Sequence, residues 1–411
     1  MKINRKISPD LKIKPNFITK KRLKEDEINF DKLRSYRLDR VKSELKKNNL
    51  EACILFDPVN VRYALDTVNM SVYNMHNLTR YCFVPVEGPV ILYEYFNCEG
   101  LSSHLNLINE IRPAITWDYF SNGDQASEQL KKWINEIKDL SNSYFKSKKV
   151  AIDVINGPAV TALNKASIDV VDAKLILEQA RVIKSAEELK CMKAAVEVAE
   201  IGVARMRNEL KAGMTEDELW SILHKTNIEH GGEWIECRIL SSGERTNPWM
   251  QESSNKIIQS GEIVSFDTDM VGPYGYCADI SRAFVEGNKF NDEQKKLYSM
   301  AVDQINHNYR IIKPGVSFKE FTERSWTLPD EYYGNRYSVM LHGIGMCDEW
   351  PAIRYPTDGG QRNGQFEKNM TITLESYIGK VGGKEGVKLE QQYLVGENGL
   401  ELMSHHPLED I

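Results

Sequence analysis

Three carboxylates lie close together in the run Ser265-Phe266-Asp267-Thr268-Asp269-Met270-Val271-Gly272-Pro273-Tyr274-Gly275-Tyr276-Cys277-Ala278-Asp279-Ile280-Ser281-Arg282. If Asp267 and Asp269 sit on a strand, alternating side-chain directions put both on one face. The Gly272-Pro273 turn then returns the chain as a second strand and brings Asp279 beside them. Like charges packed this closely repel unless something positive sits among them, and a bound cation is the simplest relief. Later strands complete the set with His342 in His342-Gly343-Ile344-Gly345, Glu375 after Met370-Thr371-Ile372-Thr373-Leu374, and Glu390 after Val387-Lys388-Leu389. Such an oxygen-rich set can hold two divalent ions bridged by carboxylates, roughly 3.5–4 Å apart. Hard oxygens with a single imidazole favour manganese, iron, cobalt or zinc over copper or a structural thiolate zinc. Taken singly, each residue has a plainer reading: a solvated strand-end acid, or a hydrogen-bonded structural histidine. Their ordered placement carries the case.

The elements that must position these groups follow from length and periodicity. A chain of 411 residues is too long for one ordinary core, and two domains are expected. Residues 1–30 are polar, Lys-rich and aperiodic, and read as an arm. Residues 31–180 alternate helix and strand: a helix from Asp31 to Lys47, strands at Ala52–Phe56, Tyr81–Val84, Val90–Tyr93 and Lys149–Ile152, and a helix over Ala126–Leu140. That is an α/β domain. With few clustered ionisable groups, its expected role is shape and subunit contact. Residues 181–411 open on the apolar stripe Leu189, Met192, Val196, Ala199, Val203, Met206 and Leu210, capped by a Ser185/Glu188 box. Thr215/Glu218, Asn291 and Ser317/Glu320 start further helices. The remainder is strand-rich, with strands expected at Tyr337–Leu341, Met370–Glu375 and Val387–Glu390.

Composition removes several classes. A net charge of -6 offers no field for nucleic acid. No apolar stretch approaches a membrane span, and the N-terminus lacks the apolar core of a signal peptide. Seven cysteines without framework spacing read as reduced thiols in a cytoplasmic protein. Cys347 reads as a buried, inert thiol, with a reactive one beside Asp348 as the alternative.

The order Asp…Asp…His…Glu…Glu over the last half of a two-domain chain resembles the creatinase, aminopeptidase P and methionine aminopeptidase superfamily, the pita-bread fold. Arg181-Val182-Ile183-Lys184-Ser185, Gly275 to Arg282 and Thr373-Leu374-Glu375 share in the resemblance, which spans about residues 30–400. It implies an α/β N-terminal domain followed by an α+β pita-bread catalytic domain. The departures are informative, because fold does not dictate function. The peptidases have their two aspartates eleven apart, whereas Asp279 lies twelve after Asp267 and ten after Asp269. Where the peptidases place a histidine ahead of the first aspartate, this chain reads Asn247-Pro248-Trp249-Met250-Gln251. Seven residues after His342, where they carry a substrate-handling histidine, stands Glu349. All three departures are similar to the DddP branch, the dimethylsulfoniopropionate lyases, as are His342-Gly343-Ile344-Gly345-Met346-Cys347-Asp348-Glu349-Trp350 and Glu385-Gly386-Val387-Lys388-Leu389-Glu390. The resemblance implies Asp267, Asp269, Asp279, His342, Glu375 and Glu390 as ligands of two transition-metal ions, most often iron. It also implies Asp348 as general base, Tyr337 lining the pocket, and a homodimer.

The chemistry can be argued from the residues as well. β-Elimination from a sulfonium zwitterion needs a weakly acidic proton removed beside a carboxylate. Metal on that carboxylate stabilises the developing charge, and a nearby acid with a raised pKa takes the proton. The plainer reading of Asp348 is an outer acid orienting His342. Aromatic faces suit a sulfonium, and Trp249, Tyr332, Tyr333, Tyr337 and Trp350 flank the site segments, although such residues are equally at home in a core. The rivals are a Xaa-Pro peptidase or prolidase-like dinuclear metallohydrolase, a hydrolase of another small osmolyte, and a binding module without catalysis.

Overall fold

The computed structural model describes residues 20–359 and 363–411, so most of the expected arm over 1–30 lies outside the described residues. The described chain divides into two compact units. One is Asn29–Arg181, and the other joins Lys21–Ile28 to Val182–Ile411.

In the first unit, the Asn29 side chain accepts the Lys32 N–H at 3.0 Å and starts the helix Phe30–Lys47, satisfying one of the orphan donors of a helix start. Six strands follow: β1 (Ala52–Leu55), β2 (Tyr81–Pro85), β3 (Ile91–Glu94), β4 (Glu110–Pro113), β5 (Lys149–Ile152) and β6 (Asp169–Asp172). They form one sheet in the order β4-β3-β2-β1-β5-β6, with β1 antiparallel to β2 and parallel to β5. Strands β1 to β3 are buried along their whole length, which explains their unbroken apolar runs. Phe56, Tyr81, Tyr93, Trp117 and Trp133 stack in the core beside them.

In the second unit, both expected capping boxes are formed. Ser185 and Glu188 start the helix Ala186–Glu209, and Thr215 and Glu218 start Glu216–Glu229. The two helices touch at Gly202, where a Cβ would fall 2.5 Å from Leu223 Cδ1. Residues 21–28, the end of the expected arm, pack here: the Tyr274 hydroxyl donates to the Leu23 carbonyl at 2.7 Å, and Lys24 pairs with Glu197. Ten strands follow: β7 (Leu240–Ser242), β8 (Ile263–Phe266), β9 (Met270–Val271), β10 (Cys277–Ala278), β11 (Arg282–Val285), β12 (Leu341–Ile344), β13 (Asp348–Ile353), β14 (Thr371–Gly379), β15 (Gly386–Val395) and β16 (Leu400–Leu402). They form an antiparallel sheet β13-β12-β14-β15-β16, a sheet β11-β8-β7 and the short pair β10-β9. The helix Asp292–Tyr309 covers β14 and β15, with Tyr298, Ala301, Leu341, Ile372, Leu374 and Leu389 in the core. Among the described residues no helix is long and apolar enough to cross a membrane. All seven cysteines are free thiols, and Cys347 is half-buried rather than buried.

Candidate metal centre and active site

The strands of the second unit converge on one acidic cluster. The hairpin expected around Gly272-Pro273 is present: β9 pairs with β10 as Cys277↔Val271 and Ala278↔Met270. Gly272 lies against the long helix, where a Cβ would fall 2.8 Å from that of Ala195. Asp267 and Asp269 are not on a regular strand, however. β8 ends at Phe266, β9 starts at Met270, and Asp269 has φ +34°. The chain kinks between the two acids because Thr268 is held from the opposite side of the hairpin: its hydroxyl donates to the Ala278 carbonyl at 2.8 Å and accepts the Ile280 N–H at 2.9 Å. That latch, rather than strand alternation, sets the two aspartates and brings Asp279 beside them.

The other ligand candidates come from the five-stranded sheet. Glu375 on β14 stands directly opposite Glu390 on β15, a like-charge cross-strand pair that destabilises a sheet unless a cation intervenes. His342 on β12 pairs in register with Thr373 of β14. Its Nε2 lies 3.0 Å from Glu375 Oε1, 3.4 Å from Asp279 Oδ2 and 3.5 Å from Glu390 Oε1. Its Nδ1 donates to the Gly343 carbonyl at 2.9 Å, which leaves Nε2 as the atom facing the acids, the arrangement of a metal-binding imidazole. Tyr337 lies outside the strand expected there, because β12 begins only at Leu341.

Sequence reasoning passed over the central cation. Lys388 is fully buried, with Nζ 3.1 Å from Asp267 Oδ2, 2.6 Å from Glu375 Oε2 and 3.0 Å from Glu390 Oε2. It also donates to Ser281 Oγ at 2.7 Å. The signal was available: Lys388 and Glu390 are two apart on a strand and therefore share a face. The Tyr337 and Trp249 rings border this ammonium, with centroids 4.7 Å and 5.7 Å away. Both aromatics thus stand at the cluster, whereas Tyr332, Tyr333 and Trp350 pack on the core.

Protein cations alone do not balance these acids. Burial first, then neighbouring carboxylates, push Asp269 and Asp279 well above the usual aspartate range. Asp267 is raised by burial against the pull of Lys388. Burial and Glu390 lift Glu375 to about 7. Burial would raise Glu390 too, but Lys388 and His342 hold it low. Burial lowers His342 and Lys388, yet their acidic contacts outweigh it and raise both well above normal. The buried oxygens Asp279 Oδ1 and Glu390 Oε1 receive no hydrogen bond from the protein, a cost that a metal ion on those oxygens would remove. Two groups have ligand atoms within 4.8 Å of one another: Asp279, His342 and Glu390, and Asp269, Asp279 and Asp348. The donor set fits divalent cations, which would reverse the pKa shifts by holding the acids ionised.

Asp348 opens β13 with its side chain 64% exposed and Oδ1 3.5 Å from His342 Nδ1. Burial of its surroundings raises its pKa, His342 opposes the rise, and Glu390 and Glu349 add to it. It is the most exposed acid of the cluster, with Asp269 half-buried and the others buried.

The fold is the pita-bread fold, its acidic cluster is a candidate metal centre, and the chain belongs to metallopeptidase family M24, whose sequence model matches residues 190–397. Within that family it is similar to dimethylsulfoniopropionate lyase DddP of Roseovarius nubinhibens, 36% identical over 388 residues and covering 92% of this chain and 87% of that protein. DddP of Roseobacter denitrificans is 33% identical over 387 residues, covering 92% of this chain and 86% of that one. Among solved structures, a Xaa-Pro dipeptidase from Bacillus anthracis superposes with TM-score 0.74 at 19% identity, covering 91% of this chain and 98% of its own. That likeness concerns the fold, and it agrees with the expected α/β domain followed by a pita-bread domain.

Proposed function

We propose that this chain is a metal-dependent carbon–sulfur lyase that cleaves dimethylsulfoniopropionate to dimethyl sulfide and acrylate, with Asp348 as general base. The observation that supports it is that the six candidate ligands gather around His342 and Lys388, with Asp348 at the exposed edge, in a chain similar to two named lyases of that substrate over 92% of its length. Asp267, Asp269, Asp279, His342, Glu375 and Glu390 would hold two divalent transition-metal ions, iron first by family resemblance with zinc or manganese as substitutes, and bound metal supplies Lewis acidity to the substrate carboxylate. Asp348 removes the proton from the carbon next to that carboxylate. Its side chain stands at the exposed edge of the cluster, 3.5 Å from His342, where a bound substrate can meet it. The electron pair forms the new C=C bond, and the C–S bond breaks with its pair leaving on neutral dimethyl sulfide. Trp249 and Tyr337 offer ring faces to the sulfonium.

A cytoplasmic homodimer with its domain boundary near residue 181 completes the proposal, supported by the free thiols and the family resemblance. A second reading is favoured by one observation: an Asp348 oxygen lies within 4.8 Å of ligand atoms of Asp269 and Asp279, so Asp348 could itself bind metal. Headspace gas chromatography of metal-loaded protein given the sulfonium substrate, beside proline dipeptides, tests the activity. Dimethyl sulfide is expected, and proline release without it would restore the peptidase alternative. An Asp348→Asn variant that loses metal would favour the ligand reading over the base.

A further inference from the structure

Behind Asp348 lies a charged pair that its strand presents to the interior. Successive residues of a strand face opposite ways, and β13 opens with Asp348 exposed and Glu349 buried. Glu349 Oε2 sits 2.6 Å from Lys184 Nζ, with the two side chains 1% and 2% exposed. The other oxygen, Oε1, accepts the Met346 N–H at 3.1 Å. The carboxylate thereby closes over the turn that links His342 to Asp348. Gly345 fits under it only because it has no side chain, since a Cβ would fall 2.3 Å from Glu349 Oε1. The same turn is tied to the aspartate hairpin, where the Cys277 N–H donates to the Gly345 carbonyl at 2.7 Å. Lys184 is itself anchored: it precedes the Ser185 cap, and its N–H donates to the Asn369 carbonyl at 2.9 Å.

A buried ion pair is a poor source of stability, because apolar residues of similar volume often do as well or better. What this one provides is direction, through one carboxylate fixed at both oxygens. We propose that Lys184 and Glu349 are a positioning pair that holds the 345–347 turn between β12 and β13 in one conformation and so sets where the Asp348 carboxylate stands over the cluster. The role rests on Asp348 being the base proposed above.

The test compares full-length, metal-loaded K184M, E349Q, K184R and the isosteric double variant K184M/E349M. The readouts are kinetics with the sulfonium substrate, metal content and amide hydrogen exchange. K184M and E349Q should lower kcat by about tenfold or more, as expected for a displaced catalytic group, with KM and metal content held. Exchange at 343–350 should quicken in both, and K184R should recover most of kcat. The double variant should melt near wild type while kcat stays low, and it carries the test if a single variant fails to fold. Unchanged exchange at 343–350, kcat near wild type in the single variants, kcat restored in the double variant, or a loss matched by lost metal would each overturn the proposal. A wild-type protein that releases no dimethyl sulfide would overturn the lyase reading instead, and exchange at 343–350 would still decide whether the pair holds the turn.

Discussion

Replacing Lys388 by Met removes the ammonium while keeping an unbranched side chain of similar length. In the native cluster Lys388 Nζ contacts Asp267, Glu375 and Glu390 at 3.1, 2.6 and 3.0 Å. At an effective dielectric of about 20, each such contact is worth roughly 5 kcal/mol before desolvation is counted. The net cost of stranding the partners of a buried pair is smaller, about 3–5 kcal/mol. For a domain of this size about 2–4 °C of melting temperature corresponds to each kcal/mol. Metal-stripped Lys388→Met should therefore melt about 6–20 °C below metal-stripped wild type. Metal would neutralise the same carboxylates, so the gap should narrow when both proteins are loaded. Scanning calorimetry of the four samples reads this directly. A variant that melts within about 2 °C of wild type after stripping would refute the claim that Lys388 balances the cluster.

The cluster also fixes a pH dependence. Stripped protein should lose stability as pH rises from about 5 to 8, because Glu375, raised to about 7, binds a proton in the native state that the unfolded chain has released. His342 acts in the same direction: its raised pKa gives stability that is full below the unfolded histidine value and is lost as pH climbs through the folded one. Denaturant melts across that range should show the fall in stripped protein and little of it after loading. Asp348→Asn should lower kcat by about 10²–10⁴-fold with metal content unchanged, and full activity would remove Asp348 from the base role. Trp249→Leu should raise KM by about two- to thirtyfold with kcat nearly held, the range expected when a cation loses an aromatic face.

Signals local in sequence were legible. The Ser185/Glu188 and Thr215/Glu218 boxes start their helices as expected, because a cap is decided within a few residues of its own position. The aspartate hairpin was readable for the same reason, since Gly272-Pro273 forces the reversal. What escaped depends on contacts between distant segments. Strand alternation misplaced the geometry of Asp267 and Asp269, because Thr268 is latched to Ala278 and Ile280. Lys388 reads as an ordinary strand lysine until β15 pairs with β14 and Asp267 arrives from another sheet. Tyr337 falls in the stretch expected as strand, but the ladder that defines β12 begins at Leu341. Tyr332, Tyr333 and Trp350 share the aromatic character of Trp249, and only packing separates core from site.

The most direct test of the whole account is anomalous diffraction from crystals of the metal-loaded protein at the absorption edge of the loaded metal. Two peaks per chain are expected, bounded by Asp267, Asp269, Asp279, His342, Glu375 and Glu390. A map with no peak among these residues, and with Lys388 and His342 still the cations nearest the acids, would contradict it.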